Sequence, residues 1–481
     1  MNNMKNYYFS LQKIENHSFI FLFPFYFAII SIAMVFVNGS SGEGNNPCFQ
    51  INAKTLQYSP QDVINCYGGM DIASYVRGAF SLRDNGLNAF GSLGFGTWPP
   101  GFSALELFLI NIEMLPLPMS LLLITYTCWS FVLYNFYLLL RGATKDRSIL
   151  IAIFAPVILL FVPFVYDFYL WNGLLMSEPI STALFFIAIV YLWRLILWGE
   201  VIPVSKTLLI GLMVAFSIYI RAQFDLIFWA LCVGFFVIFC VSLLIMRLGL
   251  GDIDVNGRIL KLSKVIFFIF IVVQGATFPY KVYMSLKGNG LGMANVSYIF
   301  ESVWKSDDQL RQNGAGFFVD GGGNSMCIVA HDKCNEFEQR RIIGESIAIK
   351  EYKSAAFSVV LFSFSDFIEF KSHYFWRAWQ INSYEDPNTQ KWTVIFNFIL
   401  AFILLILMAF RVLFSPRQGS LEAFLLLTFF WGSTIFCWLV HFEARYLLPF
   451  KLIGVIWIIY VLCTCELFKL SADANNNLKS Q

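Results

Sequence analysis

The sequence predicts an all-α, polytopic membrane protein, and three observations carry that prediction. Its 481 residues are 58% hydrophobic and only 13% charged, where a soluble domain holds about a quarter charged residues. Aromatics make up 18%, with 53 Phe, more apolar surface than one aqueous core can hide. Apolar runs close to the roughly 20 residues that a helix needs to cross hydrocarbon recur along the chain. An ordinary cytosolic enzyme and a disordered scaffold are thereby excluded. The formal net charge of +2 leaves no basic patch that would call for a polyanion, so nucleic acid is not an expected partner.

About ten runs qualify as spans: 18–37, 117–140, 148–165, 178–197, 207–220, 223–246, 265–284, 393–410, 421–440 and 447–467. Runs five and six are parted only by Arg221, Ala222 and Gln223, which predicts a tight hairpin. The stretch 354–370 is broken by Ser and Asp and reads as interfacial rather than crossing. Lys and Arg in the short loops set the orientation. Arg141, Lys145 and Arg147, then Arg194 and Lys206, then Arg258, Lys261 and Lys264, then Arg411 and Arg417, all fall on one side. That side is read as the cytoplasm, with both termini in it and the first span retained.

Three regions follow. Residues 1–284 form an N-terminal transmembrane module whose first outer loop is 38–116. Residues 285–392 form a large, mostly helical outer region, and 393–481 hold the C-terminal spans and a polar tail. Six of the ten Cys lie within proposed spans, where they pack as small apolar residues. The others fall as two local pairs, Cys48 with Cys66 and Cys327 with Cys334, on the oxidising side, and are the disulfide candidates.

The first outer loop carries the most information. From Asp71 to Leu82, apolar residues at 72, 75, 76, 79, 80 and 82 form a helical stripe too short to span. A short amphipathic helix on the outer membrane surface is expected, ended by Gly86. Asp71 begins that helix. It is either an N-cap or a general base held at the interface, and the two roles are compatible because a capped carboxylate has a fixed position. Trp98-Pro99-Pro100-Gly101 then predicts a turn that releases a second helix over Phe102–Leu109.

The other outer turns hold a mixed set of charges. Asp167 and then Ser177-Glu178-Pro179 precede the fourth span, where an acid is costly unless solvated, paired or metal-bound. Arg221 with Gln223, Lys281, and Glu443, Arg445 and Tyr446 share that side. If these turns converge, Arg forks could grip the phosphate of an anionic lipid head group. No zinc pattern, nucleotide-binding loop or internal repeat is present in the sequence.

In this order, the features resemble the GT-C glycosyltransferases, polytopic enzymes that use polyprenyl-phosphate sugars. Relatives of the protein O-mannosyltransferases and the lipid A aminoarabinose transferases belong to that group. The resemblance rests on Asp71 followed by Tyr75, Ala79, Leu82 and Gly86, then on Trp98-Pro99-Pro100-Gly101 and Leu175-Met176-Ser177-Glu178-Pro179. It continues through Tyr219-Ile220-Arg221-Ala222-Gln223 to Glu443-Ala444-Arg445-Tyr446-Leu447-Leu448-Pro449. It implies a GT-C-like fold and a catalytic Asp at Asp71. Met70 stands where relatives often have a second acid, and Ala222 where a Pro often follows the basic residue. Glu178, with Asp167 second, maps to an acid that assists or holds a divalent cation. Arg445 and Tyr446 map to the donor phosphate site, joined by Arg221 and, on charge and side alone, by Lys281.

The implied activity is inverting transfer from a polyprenyl-phosphate sugar to an envelope glycan or glycolipid, such as O-antigen or lipopolysaccharide, or to a protein. The implied place is the periplasmic face of a bacterial inner membrane. A lipid-linked-glycan flippase is the first alternative. An O-antigen polymerase or ligase is the second, and in it Arg340, Arg341 and His373 would matter more than Asp71.

Overall fold

The structure, a computed structural model, describes residues 18–33, 70–91, 99–112, 117–143, 149–163, 177–198, 203–247, 253–286, 387–414 and 447–464. It also describes single positions at 115, 165, 293, 379, 422 and 426. Every regular element among the described residues is helical, with no strand. In chain order the helices are α1 (Ser18–Ala33), α2 (Met70–Asn85), α3 (Gly101–Ile112), α4 (Leu117–Ala143) and α5 (Ile149–Phe154), the last continued by a 3₁₀ turn, Ala155–Phe161. Then follow α6 (Glu178–Trp198), α7 (Val204–Ile220), α8 (Gln223–Arg247), α9 (Ile253–Leu286), α10 (Pro387–Phe414) and α11 (Leu448–Thr464).

By length and composition, four of these can cross a membrane: segments of α4, α8, α9 and α10. Helices α1, α5 with its 3₁₀ turn, α7 and α11 are apolar but shorter among the described residues. The chain is a multi-pass membrane protein. Its outer surface supports this, because Phe21, Phe161 and Leu413 are each more than 70% exposed. A soluble monomer rarely leaves so large an apolar surface bare.

Burial sorts the helices. In α6, residues from Glu178 to Val190 are buried on nearly every face, and α11 is buried from Leu448 to Trp457. A helix apolar all round belongs inside a bundle. Helices α8, α9 and α10 instead expose stripes, such as Phe267, Ile271 and Phe278 on α9, and present them to lipid. The centre holds Trp129, Phe136 and Tyr137 of α4, Phe185 and Phe186 of α6, Ile218 of α7 and Trp457 of α11.

Pro24 of α1, Pro156 and Pro279 lie within helical segments, and a tyrosine hydroxyl bonds the backbone near the last two. Pro156 sits where α5 tightens into 3₁₀, and the Tyr26 hydroxyl donates to the Ile153 carbonyl three residues earlier (2.9 Å). Pro279 lies inside α9, and the Tyr219 hydroxyl donates to the Ala276 carbonyl, again three residues earlier (2.9 Å). A proline ring disturbs the hydrogen-bond ladder of the preceding turn, and in hydrocarbon a side-chain donor can satisfy a carbonyl left there.

Several boundaries differ from expectation. Helix α9 begins at Ile253 rather than near 265, so Arg258, Lys261 and Lys264 ride on a helix instead of a loop. Its 34 residues reach about 50 Å at 1.5 Å each, longer than the roughly 30 Å hydrocarbon. The first-loop helix ends at Gly86, whose φ of 55° suits glycine. Its apolar face, with Tyr75, Val76, Ala79 and Phe80 buried, packs on protein, the Tyr75 and Phe102 rings meeting edge-on at 5.0 Å. Residues 421–440 lie outside the described set except Glu422 and Leu426. There Arg411 grips buried Glu422 through Nε and Nη2 (both 3.2 Å), and Trp457 Nε1 donates to the same carboxylate (3.2 Å).

Helix α3 meets α7 at a glycine. A Cβ on Gly101 would stand 2.5 Å from the Tyr219 carbonyl oxygen and 2.6 Å from its carbon, both backbone atoms that cannot swing aside. Gly101→Ala is therefore expected to force the two helices apart, lowering stability by about 1–3 kcal/mol, as overpacking does. The thermal midpoint of purified protein in detergent measures this, and an unchanged midpoint would refute the close contact.

Candidate functional site

Four of the sequence motifs meet at one end of the bundle. Helix α6 opens with Glu178 and Pro179, a position where proline's missing N–H costs nothing. Ser177 precedes it and caps it through its carbonyl, which accepts the Ser181 N–H (3.1 Å) and hydroxyl (2.7 Å). That leaves the Ser177 hydroxyl free to face the neighbouring helices. It lies 2.9 Å from the Tyr75 hydroxyl, 3.0 Å from Nη1 of Arg221 and 3.3 Å from Oε2 of Glu178. A serine has one proton to give and two lone pairs. With its proton directed to Glu178, it accepts from Tyr75 and Arg221, and every capacity is filled.

Arg221 ends α7. Its backbone is extended (φ −147°, ψ 117°), its N–H bonds the Ser217 carbonyl at 2.9 Å, and its carbonyl accepts from Phe224 N–H at 3.2 Å. This is the tight hairpin expected at Arg221-Ala222-Gln223. The guanidinium meets Oε1 of Glu178 at 2.6 Å and donates from Nε to Oε1 of Gln223 at 3.0 Å. The side chains of Arg221 and Glu178 are 1% and 3% exposed. Burial this deep removes water from both ions, so the pair and its hydrogen bonds must replace hydration. One turn further in, the Ser217 hydroxyl donates to the Ser181 carbonyl (2.8 Å) and holds α7 on α6. The first loop is tied to the same place, because the Ser103 hydroxyl of α3 donates to the Tyr75 carbonyl of α2 (2.8 Å).

A second ion pair stands beside this hairpin. Lys281 of α9 contacts both carboxylate oxygens of Asp225, at 2.8 and 2.9 Å, and donates to Oε1 of Gln274 at 3.1 Å. Its members are more open, at 7% and 15%.

The structure thus brings Glu178 and Arg221 together and places Lys281 on Asp225. Asp71 lies in the first turn of α2, one turn before Tyr75 on the helical repeat. The Asp71 side chain lies outside the described residues, as do Asp167, Glu443, Arg445, Tyr446, Arg340, Arg341, His373 and the cysteines Cys48, Cys66, Cys327 and Cys334. Among the described residues no three His, Cys, Asp or Glu side chains gather as a metal site. Glu178 and Asp225 each face a cation.

Sequence reasoning missed Asp225, Glu106 and Lys451. Each is a lone charge inside an apolar run, a signal that does mark function in membrane segments. Lys451 is 1% exposed and sits 5.8 Å from the Trp379 ring. Glu106 of α3 is fully buried, and neither carboxylate oxygen has a hydrogen-bond partner among the described residues. Burial pushes its carboxyl well above the ordinary glutamate range.

No family model matches this chain, and no curated protein or solved structure shows significant similarity to it.

Two predictions follow from this geometry. Arg221→Met leaves Glu178 charged and buried alone, and is expected to cost about 3–5 kcal/mol. Adding Glu178→Gln should recover part of that loss, and a double-mutant cycle on thermal midpoints reads the coupling. Additive losses would show that the two side chains do not interact. For Glu106 the raised folded pKa means that the folded state keeps its proton longer than the unfolded one. Its stability is fully present at acid pH and declines as pH rises from the ordinary glutamate value toward the folded one. Glu106→Gln should therefore raise the midpoint more at pH 7.5 than at pH 5. An equal change at both would place an ionised Glu106 in the fold.

Proposed function

We propose that this chain is a membrane glycosyltransferase that moves a sugar from a polyprenyl-phosphate donor to an envelope glycan or glycolipid. In this reading it has about ten spans and a GT-C-like fold, with both termini in the cytoplasm and the site on the periplasmic face of an inner membrane. One observation carries the reading more than any other. The helix bearing Asp71 is pinned, through Tyr75 and Ser177, to the Glu178–Arg221 pair, so motifs about 100 and 150 residues apart in sequence share one site.

Asp71 takes the proton of the acceptor hydroxyl. The freed oxygen attacks the anomeric carbon opposite the leaving group, and the bond from that carbon to the phosphate oxygen breaks, its electron pair leaving with the lipid phosphate. Inversion follows from one displacement. Arg445 and Tyr446 hold the departing phosphate. Lys281 joins them, since its pair with Asp225 is the more open of the two. Glu178 and Arg221, buried against each other, position Tyr75 and the first-loop helix. A divalent cation, where one is used, would neutralise the leaving phosphate and would need acids beyond the two paired here.

The test is transfer from radiolabelled polyprenyl-phosphate hexoses to an envelope glycan fraction, by purified protein in lipid. General-base catalysis supplies about 10²–10⁴-fold, and Asp71→Asn is expected to lose that much while eluting and melting as the wild type does. Turnover by Asp71→Asn at the wild-type rate would overturn the base assignment. Absence of transfer by the wild type from every monophosphate donor would overturn the glycosyltransferase reading itself.

A further inference from the structure

The opposite end of the bundle holds a cavity of about 590 Å³ between α1, α4, α6 and α7. Tyr191 of α6 is thirteen residues past Glu178, and Lys206 of α7 fifteen before Arg221, so the cavity lies about 20 Å along the helices from that pair. Its floor is apolar, built from residues such as Phe131, Leu138, Ile187 and Ile210. Two of its lining residues, Phe19 of α1 and Leu209 of α7, are 37% and 58% exposed, so the cavity reaches the apolar outer surface. A hydrocarbon chain can enter there from the bilayer without crossing water.

Among the described residues, Lys206 is the sole Lys, Arg, Asp, Glu or His in the lining, and no carboxylate pairs with it. It lies in the first turn of α7, which carries no acid and no side-chain cap, so the positive end of the helix dipole adds to the ammonium. A second cation stands behind: the Arg194 guanidinium lies 5.3 Å from the ring centre of Tyr191, which lines the cavity. An aromatic and aliphatic slot with exposed apolar residues at its edge, headed by the Lys206 ammonium, matches a lipid with an anionic head group. We infer that this groove binds an anionic phospholipid, its phosphate on Lys206 and one acyl chain over Phe131, Ile187 and Ile210. The site is separate from the glycosyl-transfer reading, and its test reads lipid retention alone.

Native mass spectrometry of the full chain is the experiment. Phosphatidylglycerol and phosphatidylcholine of identical chains would be offered in equal amounts. Wild type is expected to retain phosphatidylglycerol preferentially, and Lys206→Gln to reduce that preference about fivefold, the worth of one lysine against an anionic lipid surface. Lys264→Gln, which removes an exposed cation of α9, should leave the preference intact. Met213→Trp narrows the groove without altering its charge and should lower the occupancy of both lipids. Equal retention of the two lipids by wild type would overturn the inference. So would a loss of preference as large in Lys264→Gln as in Lys206→Gln, because attraction would then be spread over the surface.

Discussion

A buried arginine–glutamate pair holds this end of the protein together. Taking both ions out of water is expensive, and their mutual attraction alone often fails to repay it. Here the helices supply the remainder. Glu178 is the first residue of α6, where the helix end is positive, and Arg221 follows the last residue of α7, where it is negative. Each ion is favoured by its own helix as well as by its partner. The Ser177 hydroxyl and the Gln223 amide take up further hydrogen-bonding capacity. Asp225 and Lys281 repeat the scheme more loosely, with the acid in the first turn of α8 and the cation one turn short of the end of α9. Because the dipole effect fades within a turn, Lys281 gains less from its helix, and it turns to Gln274 as well.

The two pairs cancel in charge, and that shapes what the site can do under the proposed function. An incoming phosphate meets neutral pairs unless one of them opens. Arg221 and Glu178 have almost no access to solvent, while Asp225 is 15% exposed. The first pair behaves as a fixed bracket and the second as the one able to exchange a carboxylate for a phosphate. Sequence reasoning alone does not distinguish them, since Arg221 and Lys281 are both cations beside the ends of apolar runs.

Much of the frame was legible because punctuation residues act locally. Gly86 ends α2, Pro100 precedes α3 and contributes the carbonyl that Ala104 N–H bonds at 2.8 Å, and Pro179 opens α6. Arg221-Ala222-Gln223 is a hairpin because three residues allow little else between two apolar runs. What was not legible depends on partners remote in sequence. The charges of Arg258, Lys261 and Lys264 suggested a loop, yet a helix extending beyond hydrocarbon carries charge at no cost. The stripe of α2 suggested a membrane surface, since a periodic apolar face does not say whether lipid or Phe102 will cover it. Glu106 was visible as an acid among apolar residues. Its isolation was not, because that depends on what α3 packs against.

Tyr75 is where frame and proposed chemistry join. Its ring is buried against Phe102, its carbonyl is taken by Ser103, and its hydroxyl is held by Ser177. Three constraints on one residue fix both the position of α2 and its rotation about its own axis. Position 71 lies one turn earlier on the same helix, so it inherits that rotation without needing contacts of its own. A general base must sit within hydrogen-bond reach of the proton it removes, and an error of about 1 Å can cost some 10²-fold in rate. A short surface helix resting only on lipid could not hold that tolerance. Bolted through Tyr75, four residues past Asp71, to a buried ion pair, α2 can, and under the proposed function this is why the deepest charges in the site serve geometry while a residue at its edge is left for the reaction.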